Sequence, residues 1–139
     1  MATTRTTINI DLALAQRLTG EAVERGVRAA TIETKNLVID ELSQRGTGKA
    51  YARGQKVHVA SAPGKPPAPD TGRLRNSTQS EVTRTQTGAV GTVSVNTEYA
   101  AALELGTERI APRPFISTVA REGAARILAA FTRFSRLPR

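Results

Sequence analysis

The sequence predicts an α+β domain in which a long N-terminal helix and a C-terminal helix pack on one face of a small, mostly antiparallel sheet, with a Pro/Gly-rich extended loop between them. Three observations carry that reading. Apolar residues recur at three- and four-residue steps near both ends of the chain, and they alternate with polar residues in two shorter stretches. A segment dense in proline and glycine separates the two regimes. With 139 residues, a single domain spanning 1–139 can bury its own core. Folding at this size hides on the order of 70% of the surface that the unfolded chain exposes.

Residues 4–10 alternate, with Ile8 and Ile10 on one side and Thr7 and Asn9 on the other, which suits a short half-buried strand. Asn9 or Asp11 can cap the helix that follows. From Leu12 the apolar positions Leu14, Leu18, Ala22, Val23, Val27, Ala30, Leu37, Val38 and Leu42 make one helical stripe ending before Gly46. Arg17, Glu21, Glu24, Arg28 and Lys35 form its solvated side. Gly20 and Gly26 interrupt it at a cost of up to about 1 kcal/mol each relative to alanine, which marks a bend or close packing.

Residues 46–70 hold four of the seven prolines (Pro63, Pro66, Pro67, Pro69) together with Gly46, Gly48, Gly54 and Gly64. That composition forbids a continuous helix or a central strand. Pro66 to Pro69 favour a polyproline-like course, so the segment reads as an extended basic arm without regular structure that reaches a partner. Residues 71–76 form one capped turn, with Asp70 or Thr71 as the cap. Two strands follow at 77–85 and 89–95, joined around Thr87-Gly88. Residues 99–105 make a short Ala-rich helix stopped by Gly106 and buried through Tyr99, Leu103 and Leu105. Pro114 suits the first turn of a last helix. The stripe Phe115, Ile116, Val119, Ala120, Gly123, Ile127, Phe131 and Phe134 carries that helix as one piece to just before Pro138.

Twenty Lys and Arg against twelve Asp and Glu give a net charge of +8. Residues 1–45 are balanced at six of each, so the surplus sits in the middle and the tail of the chain. Such a surplus attracts nucleic acid, an acidic protein face, or neither. The absence of cysteine excludes a disulfide framework, thiol catalysis and Cys-ligated metal. No apolar run approaches the roughly 18 to 20 residues that span a bilayer, and residues 1–7 lack a signal-peptide layout. A soluble protein without membrane contact is expected.

Catalytic constellations are not expected either. His58 is the only imidazole, with Ser61 nearby but no acidic partner close in sequence. Gly46-Thr47-Gly48-Lys49-Ala50 fails as a phosphate-binding loop, because Ser43 stands where the first glycine belongs and Ala50 where a hydroxyl must hold magnesium. Asp40 and Glu41 point to different sides of a helix. The expectation is a protein that is not an enzyme, with no cofactor and no metal. A single-strand nucleic-acid binder interleaves aromatics with basic residues, and the basic middle offers only Tyr51. Arg53, Lys56, Arg73 and Arg75 can touch phosphates without reading sequence, so a basic nucleic-acid-binding protein is the alternative reading.

Two segments together are diagnostic. The first is Gly48-Lys49-Ala50-Tyr51 followed by residues 58–77, HVASAPGKPPAPDTGRLRNS; the second is residues 99–107, YAAALELGT, followed by Arg113-Pro114-Phe115. In this order, between a long first helix and a closing helix, they resemble the tail-completion, or head-to-tail joining, proteins of long non-contractile-tailed double-stranded DNA phages. The similarity covers nearly the whole chain. Its motif positions are Thr71, Gly72, Leu74, Tyr99, Leu103, Gly106, Thr107, Arg113, Pro114 and Phe115, of which Leu74, Leu103 and Phe115 read as fold maintenance.

The resemblance implies a structural, tail-terminator-like protein of the virion neck, assembled in the host cytoplasm. It would form a homo-oligomeric ring of six copies on the head-proximal end of the tail tube. Its partners would be its own copies, the major tail-tube protein and the head-closure or connector protein, with non-specific contact to passing duplex DNA. A ring requires heterologous contacts that close. The exposed, conformationally restricted residues Tyr51, Arg53, His58, Lys65, Pro66 and Pro67, with Arg73 and Arg75, are the expected interface.

Overall fold

The computed structural model describes residues 4–8 as backbone and residues 20–136 in full. Strand β1 (Thr4–Ile8) is followed by helix α1 (Gly20–Glu41) and by a hairpin of β2 (Ala50–Arg53) and β3 (Lys56–Val59). Then come the single turn α2 (Arg73–Asn76), strands β4 (Thr78–Thr85) and β5 (Gly88–Val95), and helices α3 (Ala100–Leu105), α4 (Ile116–Glu122) and α5 (Ala124–Ser135). The α+β class holds. The caps expected at Asn9 and Asp11, and the stripe positions Leu14, Arg17 and Leu18, lie outside the described residues.

The main sheet runs β1-β5-β4 and is antiparallel throughout, with Val95 opposite both Thr4 and Thr78. Period-two alternation turns Gly91, Val93 and Val95 of the central strand inward, and all three are buried. The other side of β4 carries Gln79, Glu81 and Thr83 into solvent, the pattern of a sheet covered on one face.

Helix α1 lies across the buried face. Its Ala22, Val23, Val27, Ala30 and Val38 are buried at the expected helical spacing. A Cβ on Gly91 would fall 1.9 Å from the Thr31 hydroxyl, so the glycine is what lets the helix approach the strand. The buried Thr31 and Thr34 hydroxyls donate to the Val27 and Ala30 carbonyls at 2.7 and 2.8 Å, which satisfies them inside the core. Arg84 of β4 pairs with Glu24, and Arg28 meets the same carboxylate at 3.2 Å. The Arg84 hydrogen bond is the main reason the Glu24 carboxyl is held below its ordinary range.

The core has two clusters strung along α1. Val38 and Leu42 join Val93, Val95, Ala100, Phe115, Ile116 and Val119 at one end, while Val23, Val27 and Ala30 enclose Phe131 at the other. Phe115 is fully buried, as its reading as a fold-maintaining residue expects.

The closing helix departs from the expected single piece. It breaks into α4 and α5 at Gly123, where a Cβ would lie 2.6 Å from the Val119 carbonyl oxygen and 2.7 Å from Leu37. Across the break the inward row continues at four-residue steps through Val119, Gly123, Ile127, Phe131 and Ser135, so Phe131 is buried while Phe134, off that row, is half exposed. Pro114 stands just ahead of the helix instead of inside its first turn, because Phe115 is the residue flanking α4.

Candidate docking surface

The segment at 46–70 is the largest correction to the sequence reading. It contains the regular hairpin β2–β3, with Ala50 opposite Val59, Tyr51 opposite His58, Ala52 opposite Val57 and Arg53 opposite Lys56. Gly54 adopts φ 60° at the first position of the two-residue turn, where a non-glycine residue would be strained. The ladder continues into the stem, where Gly48 N–H donates to the Ala60 carbonyl at 2.7 Å and Ala60 N–H to the Lys49 carbonyl at 2.9 Å. A Cβ on Gly46 would fall 1.9 Å from the Val59 carbonyl oxygen, so the glycines that argued against structure here are what let two backbones pass. The signal for the hairpin was the Gly-X dipeptide before the alternating Val57 and Val59.

The register divides the hairpin into unlike faces. Ala50, Ala52, Val57 and Val59 share one side, and every one of them is exposed, Val57 at 69%. Tyr51, Arg53, Lys56 and His58 share the other. On that second side Arg53 pairs with Asp70 at 2.8 Å, and His58 Nδ1 lies 3.8 Å from the same carboxylate. Asp70 therefore braces the hairpin instead of capping the turn; Thr71 takes part in the cap, its Oγ1 accepting from Arg73 N–H at 3.3 Å. An exposed pair of this kind contributes less than about 1 kcal/mol. Asp70→Asn is accordingly expected to leave the melting temperature within error while hydrogen exchange of the β2 and β3 amides speeds up.

The rest of the expected interface divides. Tyr51, Arg53, Lys65 and Arg73 are exposed, His58, Pro66 and Arg75 are half-buried, and Pro67 is buried. The proline run is thus seated against its own chain: Gly64 N–H donates to the Pro112 carbonyl at 3.0 Å, and Ser61 is buried. Arg73 stacks over the Tyr99 ring at 6.0 Å. Gly72 holds φ 76° at the entry of α2, and Leu74 packs against the main core from a partly buried position. Ser61 Oγ makes no hydrogen bond among the described residues, so the Ser-His pair considered from sequence is not formed. No group of three or more His, Cys, Asp or Glu that could hold a metal occurs among the described residues.

Sequence reasoning missed the most constrained polar group. Glu104, on the inner side of α3, is 8% exposed and accepts from the backbone N–H groups of Phe115, Ile116 and Ser117 at 2.8, 3.0 and 2.8 Å. Burial pushes its carboxyl up, but these hydrogen bonds outweigh it and hold the group below the ordinary range. Arg113 N–H donates to the Leu103 carbonyl at 2.7 Å, completing the clamp between α3 and α4. With Ala100 and Glu104 filling the inward positions, Tyr99 and Leu105 point out, Leu105 at 76% exposure. The expectation that these two bury the short helix fails for that reason, while Leu103 is partly buried as expected. Gly106 ends α3 with φ 76°, and Thr107 Oγ1 accepts from Ile110 N–H at 3.1 Å to tie the next turn.

No family model matches the chain, and no curated protein or solved structure shows significant similarity to it. No helix among the described residues is long and apolar enough to cross a membrane.

Proposed function

We propose that this chain is a structural protein of the phage neck that acts by assembly and not by catalysis. Copies form a closed ring on the head-proximal end of the tail tube and join it to the head connector. The two sequence segments that resemble tail-completion proteins supply the class. The observation that carries the docking role is the hairpin, whose apolar face of Ala50, Ala52, Val57 and Val59 is uncovered. A two-stranded ribbon is marginal by itself, and an uncovered apolar face of this kind suits association with another surface. The arm is a braced clasp, held by Asp70 and by the seated prolines, so little freedom is lost when it docks. Its opposite face, with Tyr51, Arg53, Lys56 and His58, supports passing contact with duplex phosphates as a secondary role.

Val57→Glu with Val59→Glu puts charge on the clasp without touching the core. The expected result is an unchanged circular dichroism spectrum, with loss of assembly on isolated tail tubes and of head-tail joining in a complementation assay. Unaltered joining would remove the clasp. Tight DNA binding by a monomer at physiological salt, falling steeply as salt is added, would instead favour the nucleic-acid reading.

A further inference from the structure

Strand β4 is an open edge of the main sheet. The order β1-β5-β4 leaves its outer side without a neighbouring strand among the described residues, while on the inner side it pairs with β5 one-to-one over eight residues, without a bulge. Just outside this ladder Asn96 N–H donates to the Ser77 carbonyl at 3.2 Å. By the alternation of an antiparallel pair, Ser77, Gln79, Glu81, Thr83 and Thr85 therefore turn their backbone groups to β5. Thr78, Ser80, Val82 and Arg84 turn theirs outward. The devices that blunt a sheet edge are sparse here. The strand holds no proline and no lysine, and the one charge on its covered-face row, Arg84, is engaged by Glu24 of α1.

We propose that β4 pairs with the β4 of a second copy, antiparallel about a two-fold axis at Val82, so that the two sheets become one, ordered β1-β5-β4-β4-β5-β1. Strand length selects this occupant. An open row of backbone groups is satisfied best by an edge of equal length. The other eight-residue strand, β5, is already paired on both sides; β1 has five residues, and β2 and β3 have four each. The register is also self-complementary. With Val82 opposite its own copy, Ser80 faces the partner's Arg84 and Glu81 faces the partner's Thr83, so no like charges are opposed. Each facing pair among Ser80, Val82 and Arg84 exchanges both of its backbone hydrogen bonds. Ser80 lies on the covered-face row yet is exposed, which leaves room opposite it for the partner's Arg84. A two-residue slip one way sets Glu81 against the partner's Glu81, and the other way carries Ser80 onto the turn at 86–87 and shortens the ladder. The contact is isologous and uses none of the hairpin, so it stands apart from the ring reading.

The test uses the full chain, by analytical ultracentrifugation over a concentration series and by hydrogen exchange read at single amides. The wild type is expected to show a monomer–dimer equilibrium. The Ser80, Val82 and Arg84 amides should gain protection as the dimer forms, whereas those of Gln79, Glu81 and Thr83 are protected throughout. Ser80→Pro removes a donor that β5 does not use, so the chain should keep its circular dichroism spectrum while the dimer dissociation constant rises about tenfold or more. Ser80→Lys keeps the backbone donor but sets a lysine against the partner's Arg84 and should weaken the dimer; Ser80→Glu should tighten it. Because the chain has no cysteine, Glu81→Cys combined with Thr83→Cys gives a covalent readout on the solvent face: mild oxidation should join two chains. A dimer that these substitutions neither weaken nor link overturns the β4 contact. So does a wild type that stays monomeric at every concentration, with the Ser80, Val82 and Arg84 amides unprotected. Protection of those amides only on isolated tail tubes gives the edge to a strand of another protein and likewise overturns self-pairing.

Discussion

Glu104→Ala is expected to cost about 3 kcal/mol or more and to lower the melting temperature clearly in thermal unfolding followed by circular dichroism. One carboxylate, almost fully buried, receives three successive backbone N–H groups at the entry of α4. Two of those donors, on Phe115 and Ile116, belong to buried residues. Removing the acceptor strands them away from water, and each buried orphan donor costs roughly 1–3 kcal/mol. Glu104→Gln keeps the shape and one acceptor oxygen but places an amide NH₂ where the other oxygen accepted, so it should recover only part of the loss. The same group sets an acid limit. Its folded-state pKa lies below that of an ordinary glutamate, so the folded form binds the proton less readily than the unfolded form. The stabilisation is therefore complete above the ordinary glutamate range and is lost as pH falls through the depressed value. The wild type should lose stability across that acid window, and the glutamine variant should show a shallower slope there. Equal slopes in the two proteins would refute the assignment.

Phe131→Ala is expected to be comparably severe, at about 3–5 kcal/mol by chemical denaturation. The ring fills the smaller cluster among Val23, Val27 and Ala30, and it lies directly against the backbone of Gly26, where a Cβ would be 2.5 Å from its carbons. A ring packed on a bare backbone leaves a cavity that neither helix can close without a large shift. The damage should be uneven, with amides of α5 losing protection from exchange before those of β5. A uniform loss of protection would mean that α5 is not a separately anchored element.

The parts of the fold that could be read in the sequence are those where one signal dominates. The spacing of Val23, Val27, Ala30 and Val38 identifies the buried side of α1, and of the two readings open for Gly26, a bend or close packing, the structure shows close packing against Phe131. The alternation of Val93 and Val95 identified the central strand's inner face. Glycine misled where it has two meanings. At Gly46, Gly48 and Gly54 it reads as a breaker, although its effect there is to let two strands and a tight turn pass closely. Gly123 is buried on the stripe as expected, and what its sequence position does not reveal is that its lack of a side chain admits Leu37. At the candidate docking surface the exposure of single residues is legible in the sequence, and the shape of the hairpin is not. Tyr51 and Arg53 are exposed as expected, but Pro67 is buried and the apolar face of Val57 and Val59 emerges only from strand pairing. Glu104 was invisible because its three partners lie more than ten residues away along the chain.

The two hydrophobic clusters share α1 as a spine, and Ile127 packs against both. Across Gly123 the hydrogen bonds from Gly123 N–H to the Val119 carbonyl at 2.8 Å and from Ile127 N–H to the Gly123 carbonyl at 3.0 Å link α4 to α5. The terminal helix is held against α1 through buried Phe131, and Ile127 couples the two clusters, so the long helix is clamped by the sheet at one end and by α5 at the other. In the ring proposed above, a subunit clamped in this way would offer its neighbours a preformed surface, with little left to order on docking.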